Sequence, residues 1–315
     1  MNYAMIIAID CGIYIVLGVG MSIAFAWGGF FSLVQGAIFG FGSYAFAQGY
    51  LQMKLPWFLG ILFSFVVGFV GSGMLGALLS RFTADFAVIS TLALGVALET
   101  IFGNWNSLTG GFSGLYGIPR PRVFGSSTGS PESFAIYVLC IALLVVVVVL
   151  FLRRSQAVLL ARAQAMDPPL LASLGVDPRI FRLVAFSVAG GITAIGGALF
   201  AQSAGYIDPS SFDITQAFSL IVIVVVGGAG NIYGAVVAAI FLTAAPQLIG
   251  LIPGSSDLIA QIQLMLSGAV LVVSIAIRPS GLFAERRFVR SGLATKSDGN
   301  QILLNGVDAD QINAH

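Results

Sequence analysis

Nine apolar runs of membrane-crossing length, divided by short turn signals, fill most of the chain: Met5–Ala26, Phe30–Tyr50, Pro56–Leu79, Phe86–Asn104, Phe134–Leu152, Phe181–Gln202, Phe212–Gly228, Ile232–Gly250 and Leu258–Ile277. A transmembrane helix needs about 20 mainly apolar residues, because the hydrocarbon core is about 30 Å thick. Lipid offers no partner to backbone N–H and C=O groups, so each run must satisfy its own, and helices do so. The pattern predicts an all-α fold, a polytopic transmembrane helical bundle of about 8–10 membrane segments. Composition agrees: 58% of residues are hydrophobic and 9% charged, against about 25% charged in a soluble domain. That is too little polar side chain to coat a water-facing surface, which excludes a soluble enzyme as the main reading. Only Trp27–Gly29 separates the first two runs. Nine full crossings place the N-terminus outside, whereas a re-entrant segment near Trp27 places it inside.

Basic residues set the orientation, since cytoplasmic loops carry an excess of Lys and Arg. Arg153, Arg154, Arg162, Arg179 and Arg182 flank one connection, and Arg278, Arg286, Arg287, Arg290 and Lys296 follow the last run. An even number of runs lies between the two clusters, so both are expected to be cytoplasmic, and Arg81 joins them. Lys54, Arg120 and Arg122 fall outside, giving eleven basic residues inside against three outside. The amino terminus lacks a basic region, and Asp10 interrupts its apolar run. It therefore reads as a mature membrane segment rather than a secretory signal. The expected organisation is a transmembrane domain over residues 1–277, with an external loop at 105–133 and a cytoplasmic loop at 153–180, then a cytoplasmic tail at 278–315. The tail beyond about Ser291 lacks an apolar period and is expected to be partly disordered.

The connection at 153–180 is the most informative stretch. Asp167 is suited to an N-cap and Pro168 to the first helical position, where a missing N–H costs nothing. Leu170, Leu171 and Leu174 then form an apolar stripe on one short helix, and Gly175 suits a left-handed stop. The cycle repeats at Asp177 and Pro178, where the next membrane helix begins. The result is a short helix with stiff ends at the membrane surface. It reads either as an ordinary interfacial helix or as one that transmits force, a task for which a floppy connector is unsuited.

Other signals are weaker. Val222–Gly234 reads VIVVVGGAGNIYG, but Gly228 and Gly230 are followed by Tyr233, so the dinucleotide-binding spacing fails. A tight turn joining two closely approaching membrane helices is expected instead. The Gly-x-x-x-Gly pairs Gly36–Gly40 and Gly230–Gly234 have helix-packing spacing. The sequence contains no P-loop. Cys11 and Cys140 lie in apolar runs, and the single histidine is His315, so neither a disulfide framework, a metal site nor His-based catalysis is indicated. Net charge is +1, which gives no hint of nucleic acid. Asp10 and Glu99 fall within apolar runs. Carboxylates there are costly and face a cavity or a partner, so both are candidates for a polar translocation path or for hydrated helix ends.

Four stretches resemble the permease subunits of branched-chain amino acid ABC transporters, of the LivM type: WGGFFSLVQGAIFGFGSYAFA at 27–47, DFAVISTLALGVALETIFGNWNSLTGGFSGLYGIPRP at 85–121, ARAQAMDPPLLASLGVDPRIFRLVAF at 161–186, and VVVGGAGNIYGAVVAA at 224–239, followed by RPSGLF at 278–283. The Thr-Gly-Gly to Pro-Arg-Pro stretch is the most specific. The resemblance implies a multi-pass protein of the bacterial inner membrane with a cytoplasmic C-terminus. It also implies a second permease of the LivH type, two cytoplasmic ABC ATPase subunits and an extracytoplasmic solute-binding protein as partners. ATP and Mg would be held by the ATPase and no cofactor by this chain, which fits the missing P-loop. The connection carrying Arg162, Asp167, Pro168, Leu170, Leu171, Leu174, Gly175 and Asp177 would be the ATPase-coupling loop. Thr109, Gly110, Gly111, Pro119 and Pro121 would lie on a surface where the binding protein docks. The sequence departs from the family at Ala163–Met166, where charged residues are common, and at Pro169. These departures bear on polar contacts to an ATPase and leave the helix intact.

The leading expectation is therefore an ATP-driven importer subunit for branched-chain or related small amino acids, with no enzymatic activity of its own. The same architecture also moves urea, short amides or small carboxylates. An ion- or proton-coupled secondary transporter predicts paired intramembrane charges and inverted repeats, neither of which is visible. An intramembrane enzyme lacks its histidine or metal cluster.

Overall fold

The computed structural model describes residues 3–249 apart from 81, 83, 124, 125, 128–130 and 174. The ninth apolar run, the tail, Arg81 and Leu174 lie outside the described residues, as does the side chain of Leu170. The fold is all-α. The long helices are α1 (Tyr3–Gly28), α2 (Gln35–Leu51), α3 (Trp57–Leu79), α4 (Ala84–Asn104), α6 (Pro131–Leu152), α9 (Pro178–Ala204), α10 (Ile214–Gly227) and α11 (Ile232–Ile249). Short α5 (Asn106–Thr109) follows α4, while α7 (Gln156–Met166) and α8 (Pro168–Ser173) lie between α6 and α9. Among the described residues there are also 3-10 turns at Gly111–Ser113 and Pro209–Phe212 and four two-residue strands: β1 (Leu115–Tyr116), β2 (Arg122–Val123), β3 (Ser126–Ser127) and β4 (Tyr206–Ile207). Strand β1 pairs antiparallel with β4, and β2 with β3. Among the described residues, six helices are long and apolar enough to cross a membrane: α1, α3, α4, α6, α9 and the Pro209–Gly227 segment that contains α10.

Helix α9 is the central post. In its most apolar window 72% of residues are buried, against 22% for α3 and for α4. Small residues let its neighbours close on it, as expected where packing rather than hydrophobicity holds helices together in lipid. A Cβ on Gly68 of α3 would lie 2.3 Å from the Ala194 Cβ, and one on Gly197 would lie 2.3 Å from the Phe39 carbonyl oxygen of α2. Helix α1 runs antiparallel to α9, with Gly28 facing Phe186, Gly20 facing Thr193 and Leu17 facing Gly196. The start of α1 therefore lies at the end of the bundle opposite residues 153–180.

The second apolar run departs from expectation. It is helical only from Gln35, because Gly29 takes φ +91° and ends α1. Residues 29–34 are non-helical. Non-helical backbone in a membrane protein needs partners from the protein, and α4 supplies one: the Leu33 N–H donates to Thr91 Oγ1 at 3.2 Å. The break thus falls in the second run, and α1 is continuous.

The Gly-rich stretch after α10 is the expected tight turn, with Gly228 at φ +104° and Gly230 at φ +92°. It brings α10 and α11 so close that a Cβ on Gly234 would sit 1.8 Å from the Gly227 carbonyl oxygen.

Candidate functional site

Three regions carry chemistry or mechanics. The first is the 153–180 connection, which contains two helices rather than the single short one expected. Ser155, extended at φ −70° and ψ 144°, opens α7. Val158, Ala161 and Gln164 form its buried face, and the helix packs on α1 and α9. The signal was present: a Ser at the N-cap followed by small or apolar residues at i and i+3. It was masked by the two arginines before it. Ala165 of α7 sits against Gly29, where a Cβ would come within 3.3 Å of the Ala165 Cα. Gln164 and Ala165 are thus spent on packing.

Asp167 joins the two helices. Its N–H donates to the Ala163 carbonyl at 3.0 Å, and its own carbonyl accepts from the Leu171 N–H at 3.3 Å. Pro168 opens α8, and Leu171 is buried. Gly175 takes φ +77°, and the Val176 N–H donates to the Leu171 carbonyl at 3.4 Å. Asp177 then caps α9, its Oδ1 accepting from the Arg179 N–H at 2.9 Å with Pro178 in the first turn. Arg162 is half-buried on α7, and burial followed by the Arg153 charge pushes its pKa below the ordinary guanidinium value. Arg182, one turn into α9, donates to the Phe82 carbonyl at 3.4 Å and lies over the Phe30 ring at 5.8 Å.

The second region is the stretch after α4, at the end of the bundle away from 153–180. Thr109 is buried, and its hydroxyl lies 2.6 Å from the Phe102 carbonyl oxygen and 2.7 Å from that of Trp105. Gly110 and Gly111 take φ +72° and +62°. A Cβ on Gly111 would lie 2.0 Å from Asn106 Oδ1, and one on Gly114 would lie 2.3 Å from the Ile207 carbonyl oxygen. Pro121 is buried and Pro119 half-buried. These residues shape the loop. The outward surface consists of Trp105, Phe112 and Tyr116, with Phe112 75% exposed. Tyr116 stacks on Tyr206 at 4.3 Å across the β1–β4 pair. Nearby, burial would raise the Asp208 pKa, but donation from the Ser210 and Ser211 hydroxyls outweighs it and holds the carboxyl below its ordinary value.

The third region is a cavity of about 560 Å³ between α1, α10 and α11, with walls from α2 and α9. It lies at the end away from 153–180, near the starts of α1 and α10 and the end of α11. Asp10 lines it and accepts at Oδ2 from Gln247 Nε2 at 2.8 Å. One helical turn on, the Tyr14 hydroxyl accepts from Gln216 Nε2 at 3.1 Å. Thr215, Ser219 and Thr243 add hydroxyls, and Leu17, Phe39, Phe200 and Leu242 add apolar surface. Glu99, on α4, is not among the lining residues. The sequence singles out Asp10, which lines this cavity, and gives no prominence to the two amides beside it. Polar residues four apart on each of α1, α10 and α11 were the available signal: Asp10 and Tyr14, Thr215 and Ser219, Thr243 and Gln247. No group of three or more His, Cys, Asp or Glu able to hold a metal exists among the described residues.

The profile of the family described as branched-chain amino acid transport system, permease component, matches residues 3–275. The high-affinity branched-chain amino acid transport system permease protein LivM of Escherichia coli K12 is 29% identical over 298 residues, covering 87% of this chain and 68% of that protein. The LivM protein of Salmonella typhimurium is 28% identical over the same shares. The LivH permease protein of Salmonella typhimurium is 21% identical, covering 85% of this chain and 90% of its own length. No solved structure gives a significant match. A multi-spanning helical bundle without visible catalytic machinery, matched by that profile along most of its length, belongs to the branched-chain amino acid transport permease family.

Proposed function

We propose that this chain is the LivM-type permease subunit of an ATP-driven importer that carries branched-chain or related small neutral amino acids across the bacterial inner membrane. The observation that carries this reading is the build of the 153–180 connection. A short helix opened by Pro168 and stopped by Gly175 is joined to α7, which packs on α1 and α9, and the Asp177 cap passes directly into α9. Displacement applied at α8 reaches the central helix and the cavity wall with little slack. The proposed engine is a pair of cytoplasmic ATPase subunits, which hold ATP and Mg, since this sequence has no P-loop. A LivH-type second permease completes the membrane part, and an extracytoplasmic solute-binding protein docks on the external stretch, where Trp105, Phe112 and Tyr116 offer exposed aromatic surface. On this reading residues 153–180 face the cytoplasm and the cavity faces outward. Higher identity to the LivM relatives than to the LivH relative supports the subunit assignment.

Purification from the native membrane tests the reading. A P-loop ATPase is expected to co-elute, and reconstituted uptake is expected to require ATP. Uptake that runs on a proton gradient without nucleotide would overturn it.

A further inference from the structure

We infer that the cavity between α1, α10 and α11 is a binding site for the zwitterionic head of a neutral amino acid, with the Asp10 carboxylate receiving the α-ammonium group. The inference rests on the importer reading for its cargo class but is drawn from the cavity itself. Asp10 is the only charged side chain in the lining among the described residues. There it has one hydrogen bond, from Gln247 Nε2 at 2.8 Å, and no ion pair. An ionised carboxylate offers about four acceptor positions, so the bond from Gln247 leaves acceptor capacity open on this lining residue. A charge held away from bulk water calls for a countercharge, and an ammonium with three donors suits it.

The rest of the lining matches the rest of such a ligand. Gln216 on α10 and Gln247 on α11 each bring an amide, and Thr215 brings a hydroxyl able to donate to a ligand carboxylate, whereas the Ser219 hydroxyl donates to the Thr215 carbonyl at 3.0 Å and offers the cavity its lone pairs. Gln216 is held in place: its backbone N–H donates to the Asp213 cap at 3.0 Å and its amide to Tyr14 at 3.1 Å. Leu17, Phe39, Phe200 and Leu242 form the apolar wall for an aliphatic side chain. A volume of about 560 Å³ falls within the about 300–1,000 Å³ common for small-molecule sites. The same chemistry discriminates among cargoes. A small carboxylate without an amine would be repelled by Asp10, and urea or an amide carries no charge to answer it.

The test is equilibrium binding of radiolabelled leucine to the full chain purified from its native membrane with its bound subunits, the external binding protein being left out. Saturable binding is expected. Isoamylamine, which keeps the ammonium, should compete, and 4-methylpentanoate, which keeps only the carboxylate, should not. Asp10→Asn is expected to weaken leucine binding about tenfold or more, and Asp10→Glu to recover part of the loss. Competition by the acid equal to that by the amine overturns the inference without recourse to any variant. Absence of leucine binding, or unchanged binding in a well-folded Asp10→Asn protein, overturns it too. ATP-driven uptake persisting alongside either result would leave the importer reading standing. Leucine binding with the expected competition pattern, but without an ATPase, would remove the importer reading and keep the site.

Discussion

At one end of the bundle, residues 153–180 turn the chain with two helices and a side-chain cap; at the other, residues 105–127 turn it with left-handed glycines and two-residue strands. The first construction is stiff along its length and anchored on α1 and α9. The second is pinned at points, by the Thr109 hydroxyl and the β1–β4 pair, and leaves aromatic rings outside. A helix transmits displacement, and a pinned loop presents a shape. The contrast suits one end receiving force and the other recognising a partner.

Deleting Pro168–Leu174 should break the contrast most severely, abolishing ATP-dependent uptake while membrane insertion persists. Normal transport by that variant would contradict the mechanical role. Gly111→Val comes next. Its Cβ would lie 2.0 Å from Asn106 Oδ1 at a φ of +62°, so a loss of roughly 3 kcal/mol is expected in thermal or denaturant unfolding, from overpacking plus backbone strain. Gly175→Ala sharpens the comparison, because a Cβ there meets nothing within 4 Å. Only the left-handed conformation is penalised, by about 1–2 kcal/mol, and uptake should fall further than stability does. Asp177→Ala removes the cap on α9 and should cost about 1 kcal/mol, with Asp177→Asn restoring most of it.

Two smaller effects concern the end of the bundle that carries residues 105–127. Phe112→Ala should leave stability within about 0.5 kcal/mol, as an exposed substitution does, yet weaken stimulation of the ATPase by the binding protein. Acidification should loosen the β4 connection. The Asp208 pKa is depressed in the folded chain, so its contribution is present above the ordinary value of about 3.9 and is lost as pH falls through the lower folded value. Hydrogen exchange at residues 205–213 should rise in that window in the parent chain and not in Asp208→Asn.

The fold was legible wherever a local rule decides it. Eight of the nine apolar runs coincide with helices among the described residues, and Asp177, Pro178 and Gly175 sit where capping chemistry puts them. Positions decided by distant partners were not legible. Residues 29–34 look as apolar as a helix, and the bond from the Leu33 N–H to Thr91 of α4 that accompanies their irregular path joins positions far apart in the chain. Helix α7 carries a modest apolar face that gains meaning once α1 and α9 are beside it. Asp10 was conspicuous as a charge in an apolar run, whereas Gln216 and Gln247 read as ordinary polar residues near helix ends. Their meeting with residues more than two hundred positions earlier is a tertiary fact. In the stretch after α4, Thr109 and its glycines stood out as a motif, but nothing local showed that they support the loop while Phe112 and Tyr116 stay exposed.

The backbone contact between Gly227 and Gly234 constrains how the cavity can change shape. With no side chain between them, α10 and α11 have no room to slide past one another at that crossing. They form a helical hairpin closed by the turn through Gly228 and Gly230. The amide groups of Gln216 and Gln247 ride on its two helices, and Asp10 stands on the helix opposite. A widening of the chamber that moved this hairpin as one body away from α1 would therefore pull the amide of Gln247 from the carboxylate it meets in this conformation.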